Sequence, residues 1–161
     1  MPTIRLVLPV CAIGLAILGS YSYRQQQISA GAAAYDNADY AAAFRHLSPF
    51  GGWRDPGAEA RLAYMYLTGS GVTEDDNKAF TLAQEAGNGG SAIGDYFLGH
   101  MYYTGSGTPV NFTKAAYWQQ QGAASGLSAA QTELGNMYQS GRGVPQDYSQ
   151  AAAWYQKAAD P

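Results

Sequence analysis

Apolar residues in this chain recur at a helical step, and that step is itself repeated. Ala58, Leu62, Met65 and Tyr66 are echoed 36 residues later by Gly94, Leu98, Met101 and Tyr102, and again by Ala130, Leu134, Met137 and Tyr138. Steps of four, three and one place each set on one side of a helix, here termed helix A. A second stripe follows each time: Ala79, Leu82, Ala86; then Ala115, Trp118, Gly122; then Ala151, Trp154, Ala158. This is helix B. A fixed period between 20 and 50 residues marks a stacked array of supersecondary units.

The punctuation agrees with the periodicity. Helix A ends at Gly69, Gly105 and Gly141, where glycine closes a helix in the left-handed conformation. Helix B opens at Asp75, Asn111 and Asp147, all strong N-cap residues, with Gln150 placed to complete a capping box on Asp147. Gly90 and Gly126 close the first two B helices, Ser91 and Ser128 are suited to cap the A helices that follow, and Asp55-Pro56 opens the first A helix after a loop at Gly51–Arg54. Helices this short draw their stability from packing. Small residues at Ala63, Gly99 and Gly135 and at Ala79, Ala115 and Ala151 let antiparallel helices approach closely.

The pattern therefore predicts an all-α, right-handed α-solenoid of antiparallel helix pairs, with about three full repeats at 58–90, 91–126 and 127–161. Upstream, the Gln- and Ala-rich stretch Tyr23–Ala34 predicts a helix beginning after Arg24 and ending at a turn over Asp36–Asp39. Tyr40, Ala43, Phe44 and Leu47 then share one helical face, ended near Pro49. Residues 23–57 thus read as a degenerate helix pair that caps the array.

These motifs, Ala-x-x-x-Leu-Gly-x-Met-Tyr, Gly-x-Gly-Val-x-x-Asp and Ala-x-x-Trp-x-x-Lys-Ala-Ala, resemble the Sel1-like repeat (SLR), a relative of the tetratricopeptide repeat. The copy from Ala130 to Ala159 carries Leu134, Gly135, Met137, Tyr138, Gly141, Gly143, Val144, Asp147, Ala151, Trp154, Lys157 and Ala158. Departures are Leu82 for Trp and Asp76 for an aromatic in the first copy, with Thr108 for Val and Gly122 for Ala in the second. They weaken local packing. The resemblance implies a protein-binding scaffold or adaptor of the bacterial envelope; it also implies an alternative, an envelope immunity or inhibitor protein that blocks a toxic effector enzyme. Some relatives are cysteine-rich, beta-lactam-binding forms, but those depend on paired cysteines that this chain lacks.

Residues 1–22 change the picture of location. Arg5 followed by the apolar run Leu6–Leu18 has the layout of a secretory signal. Cleavage after Ser22 fits small residues at Ser20 and Ser22; retention as an inner-membrane anchor over residues 4–23 fits the flanking Tyr21 and Tyr23; a buried helix without a targeting role is a third fate. The first two imply export, with the repeats in the periplasm or anchored facing it. Cys11, the one cysteine, lies in that run, so disulfides are excluded from the repeats.

Net charge is −3 and no cluster of Lys or Arg stands out, which argues against a nucleic-acid partner. The two histidines, His46 and His100, fall in different units, so no spacing suggests a metal or other cofactor. Carboxylates read as caps and surface charges; Asp95 beside Tyr96 and His100 is the one grouping with any acid–base character. The sequence points to no enzyme.

Function is sought where the repeat breaks its own pattern. At about 100° per residue, Tyr96, His100 and Tyr103 face away from the stripe of the middle A helix. Their counterparts are Ala60, Tyr64 and Leu67 in the first repeat and Thr132, Asn136 and Gln139 in the third. A helices line the inner surface of such solenoids, so Tyr64, Tyr96, His100, Tyr103, Asn136 and Gln139 are the expected contacts to a protein partner. The same aromatics also fit mutual packing across adjacent helices, with His100 a hydrogen-bonded surface residue.

Overall fold

The computed structural model describes residues 10–50 and 55–160. Among them are eight α-helices and no strand: α1 (Val10–Asp36), α2 (Tyr40–Leu47), α3 (Pro56–Thr68), α4 (Asp76–Asn88), α5 (Ala92–Thr104), α6 (Phe112–Ala124), α7 (Ser128–Ser140) and α8 (Tyr148–Ala159), with a 3-10 turn at Ser48–Phe50 after α2. They pair as α1/α2, α3/α4, α5/α6 and α7/α8, and each pair stacks on the next as an α-solenoid.

α1 differs from expectation. It does not begin after Arg24 but runs unbroken for 27 residues from Val10. No proline interrupts it, and an isolated glycine costs a helix only about 1 kcal/mol, too little to force a break. Among the described residues no helix is long and apolar enough to cross a membrane. Arg5 and the start of the apolar run, and the loop at 51–54, lie outside the described residues.

The helix boundaries follow the side chains that satisfy them. Asp55, Asp75, Asn111 and Asp147 accept the amides of Ala58, Lys78, Lys114 and Gln150, and Ser91 accepts that of Gly94. Ser128 does not cap α7. The N-cap there is Leu127, without a side-chain bond, because Leu127 rather than Ser128 falls 36 residues after Ser91. A missing cap of this kind costs about 1 kcal/mol.

The core is built as the stripes require. Leu62, Met65, Leu98, Met101, Leu134 and Met137 are fully enclosed, and Ala79, Ala115 and Ala151 sit beneath them on the B helices. Close approach is used within pairs: a Cβ on Gly99 would stand 2.9 Å from the Gln119 side chain, and one on Gly135 would stand 2.7 Å from the Tyr155 ring.

What joins one pair to the next is the loop between helices A and B. Its second glycine takes a left-handed φ and lies on the first turn of the preceding B helix. Gly71 rests on the Tyr40 backbone, Gly107 on the Asp76 carbonyl and Gly143 on the Phe112 carbonyl, so close that an added Cβ would stand 2.7, 2.2 and 2.0 Å from the nearest atom. Gly71 on Tyr40 shows that α1/α2 occupies the place of a repeat despite its divergent sequence. The B-helix seams are filled unequally. Trp118 reaches Gly87 of α4 and Trp154 packs on Ala123, Ala130 and Leu134, whereas α4 offers Leu82 at that position.

Two glycines with the same sign of φ separate strain from contact. Gly107→Ala meets both the left-handed penalty and the Asp76 carbonyl, whereas Gly90, at φ 86, has nothing within 4 Å of its would-be Cβ. Urea denaturation should show a loss of about 1–2 kcal/mol for Gly90→Ala and about 2–5 kcal/mol for Gly107→Ala. Equal losses would show that the loop is not seated on α4.

Candidate protein-binding face

The A helices present one ragged row of half-buried rings. Tyr64 of α3 lies 5.6 Å edge-on from Tyr35 of α1 and 5.8 Å from Phe97 of α5. Phe97 meets Tyr96 at 5.5 Å, and Tyr96 stacks on His100 at 6.4 Å with planes 27° apart. The chain of rings thus crosses from the N-terminal pair to the middle repeat. Arg61 stands over Tyr35 at one end, 5.7 Å from the ring centroid. Burial raises the Tyr96 phenol above its ordinary pKa, with the nearby Glu133 carboxylate adding to the shift. Tyr35 is pushed up to about 12, chiefly by burial and then by Tyr64 and Tyr40. Both phenols therefore stay neutral at physiological pH.

Of the six residues singled out from the sequence, Tyr64, Tyr96 and His100 fall on this ring chain. Tyr103 does not join it. Tyr103 packs edge-on against Phe112 at 5.1 Å, and Arg142 lies 5.7 Å from both rings and donates to the Tyr103 hydroxyl. Asn136 and Gln139 form a third group: the Tyr155 hydroxyl shares its hydrogen between Asn136 Oδ1 at 2.7 Å and Gln139 Oε1 at 2.9 Å. The face is a succession of aromatic, cationic and amide patches. Ala60, placed on the row by periodicity, is only 1% exposed.

Sequence reading missed Tyr35, Phe97 and Arg142. Phe97 stands one residue from Tyr96, about 100° round the helix, and only the presence of Tyr64 on the neighbouring helix brings it into the row. Tyr155 and Arg142 belong to helix B and a loop, so a wheel of the A helices does not include them.

Asp95 is not part of this face. It is 5% exposed, with Oδ1 2.9 Å from where a Cβ on Gly87 would stand, while His100 stacks on Tyr96. The acid–base grouping is thereby dispersed. Nor are all carboxylates surface groups: Glu59, Asp95 and Gln131 occupy one register position, 36 residues apart, and all three are buried. In the two later repeats the position faces the end of the preceding B helix: Asp95 lies at Gly87, and Gln131 Nε2 donates to the Ala123 carbonyl at 3.2 Å. Among the described residues no group of His, Cys, Asp and Glu could hold a metal ion.

A stack of helix pairs presenting a patchy aromatic face defines a helical-repeat scaffold. The chain belongs to the Sel1-repeat family: the family model for the Sel1 repeat matches residues 56–91, 92–127 and 128–160, more than half of the sequence. Proteins built from this repeat are generally protein-interaction scaffolds. Among solved structures, a Sel1 repeat protein from Oxalobacter formigenes is 28% identical with a TM-score of 0.72, over 81% of this chain and 54% of that one. The protein c5321, a protective antigen of uropathogenic Escherichia coli strains with an SLR fold, is 26% identical with a TM-score of 0.77, over 91% of this chain and 32% of that one. Helicobacter pylori cysteine rich protein B shares the fold at 21% identity and a TM-score of 0.59, over 73% of this chain and 84% of that one. The chain thus spans about half the length of the first and a third of the second. No curated protein matches it.

Burial raises the Asp95 pKa from 3.8 to about 6. Between those values the folded state keeps a proton that the unfolded chain has lost, so stability falls as pH rises through the window and the penalty is complete above it. Asp95→Asn removes the charge. Its melting temperature should exceed that of the native chain at pH 8, by the equivalent of about 1–3 kcal/mol, and converge with it near pH 4. A constant difference across that range would assign the effect to packing instead.

Proposed function

We propose that this chain is an exported protein-interaction module of a bacterial envelope, whose concave A-helix face receives an extended peptide or a loop of a partner protein. The observation that carries the reading is the ring chain from Tyr35 through Tyr64, Phe97 and Tyr96 to His100, half-buried and held from behind by the core. Such rings are already ordered, so a partner stacking on them buries large rigid area at little further entropic cost. Arg142, fixed over Tyr103 and Phe112, offers a guanidinium for a carboxylate or carbonyl of the same partner. Tyr64, Tyr96, His100, Tyr103, Asn136 and Gln139 remain the proposed contacts, joined by Phe97 and Arg142. Membership of a family of protein-binding scaffolds supports the assignment. Export rests on Arg5 and the apolar run Leu6–Leu18, and it places the partner in the envelope.

The test compares the native chain with a Tyr96→Ser/His100→Ser double variant in pull-downs from envelope extracts. Both side chains are partly exposed, so the variant should melt within about 3 °C of the native chain. The expected result is a partner recovered with the native chain and reduced about tenfold with the folded variant. Equal recovery would remove the middle repeat from the binding site.

A further inference from the structure

Among the described residues, the seam where α4 carries Leu82 in place of the tryptophan of the later repeats borders a cleft. Between α2, α3 and α4 lies a cleft of about 370 Å³, with a floor of Phe44, Leu62, Tyr66 and Leu82. A shallower depression of about 450 Å³ continues it along the loop before α4, sharing Phe44 and Tyr66. In the later repeats the position of Leu82 carries Trp118 and Trp154, whose indoles fill the corresponding seams against Gly87 and against Ala123. Leucine stands at the cleft where the two later repeats carry tryptophan.

Its rim is acidic. Glu85 borders the deep end, and Glu74 and Asp75 border the shallow one. Among the described residues the cation on the rim is Lys78, whose ammonium lies 4.4 Å over the Tyr66 ring. Among the described residues, three carboxylates against one ammonium leave the rim net negative, which favours a cationic partner over nucleic acid or anionic lipid. The surface is separate from the A-helix face: Tyr66 and Tyr64 are two residues apart on α3, about 200° round the helix.

We propose that this cleft is a second binding site, for a segment of a partner protein that inserts one large apolar side chain and flanks it with lysine or arginine. The apolar anchor takes the place of the missing indole, and the flanking cations meet Glu74, Asp75 and Glu85. A volume of a few hundred Å³ is the size that holds such an anchor. This goes beyond the A-helix reading and does not depend on it.

The experiment uses the full chain, isotope-labelled for amide spectra, and three five-residue probes capped at both ends: Ser-Lys-Trp-Arg-Ser, Ser-Glu-Trp-Glu-Ser and Ser-Lys-Ala-Arg-Ser. The first should shift amides of α2 and of residues 71–85 saturably, at least about tenfold more tightly than either of the others. Leu82→Trp should raise the melting temperature and abolish those shifts. Glu85→Lys, a surface change that leaves the fold intact, should weaken the first probe several-fold and relieve the discrimination against the second. Equal affinities for the three probes, shifts confined to the A-helix row, or binding that survives both substitutions would overturn the proposal. So would nuclear Overhauser contacts from Trp53 to Leu82 in the free chain, which would assign the cleft to this chain's own loop.

Discussion

The seating of each A–B loop on the helix before it is the contact through which this molecule becomes one structure rather than four hairpins. Gly71, Gly107 and Gly143 lie against the first-turn backbone of α2, α4 and α6. Any side chain there would push the pairs apart, and with them the rows that the A helices form. Rings on α1, α3 and α5 meet across the helices at 5.6 and 5.8 Å because that spacing is fixed below them. The face exists only when the repeats are in register, so the loop glycines are as much a condition of binding as the aromatics themselves.

Much of the fold was legible because a solenoid writes its contacts into its period. The stripes of Leu62, Leu98 and Leu134 and of Met65, Met101 and Met137 are the observed core, and the caps at Asp75, Asn111 and Asp147 open the observed helices. The failures have physical causes. α1 outran its expected start because no local residue stops it. Ser128 was mistaken for a cap because capping chemistry was weighed above register, and Leu127 holds that place. The buried polar row at Glu59, Asp95 and Gln131 is not legible in the sequence because Asp95 and Gln131 meet the end of the neighbouring helix B, a partner that no single-helix wheel contains.

The candidate face was legible in part for the same reason. Tyr64, Tyr96 and His100 depart from the repeat on one helix side and do fall on one chain of rings. Tyr103, Asn136 and Gln139 share that side but are taken up by Phe112, Arg142 and Tyr155. These partners come from B helices and loops, whose placement depends on packing between pairs. The same departure from repetition also marks the opposite side of the molecule, where Leu82 leaves a seam that Trp118 and Trp154 close elsewhere.

Stability passes from pair to pair through these seams, and the seam of the N-terminal pair is the least filled. Native-state hydrogen exchange, read amide by amide, tests it most directly. The buried amides of α5, α6 and α7 should exchange only through global unfolding, and those of α2 through a partial opening about 1–2 kcal/mol lower in free energy. Equal protection of α2 and α5 would contradict this, showing that the N-terminal pair is held as firmly as the repeats that follow it.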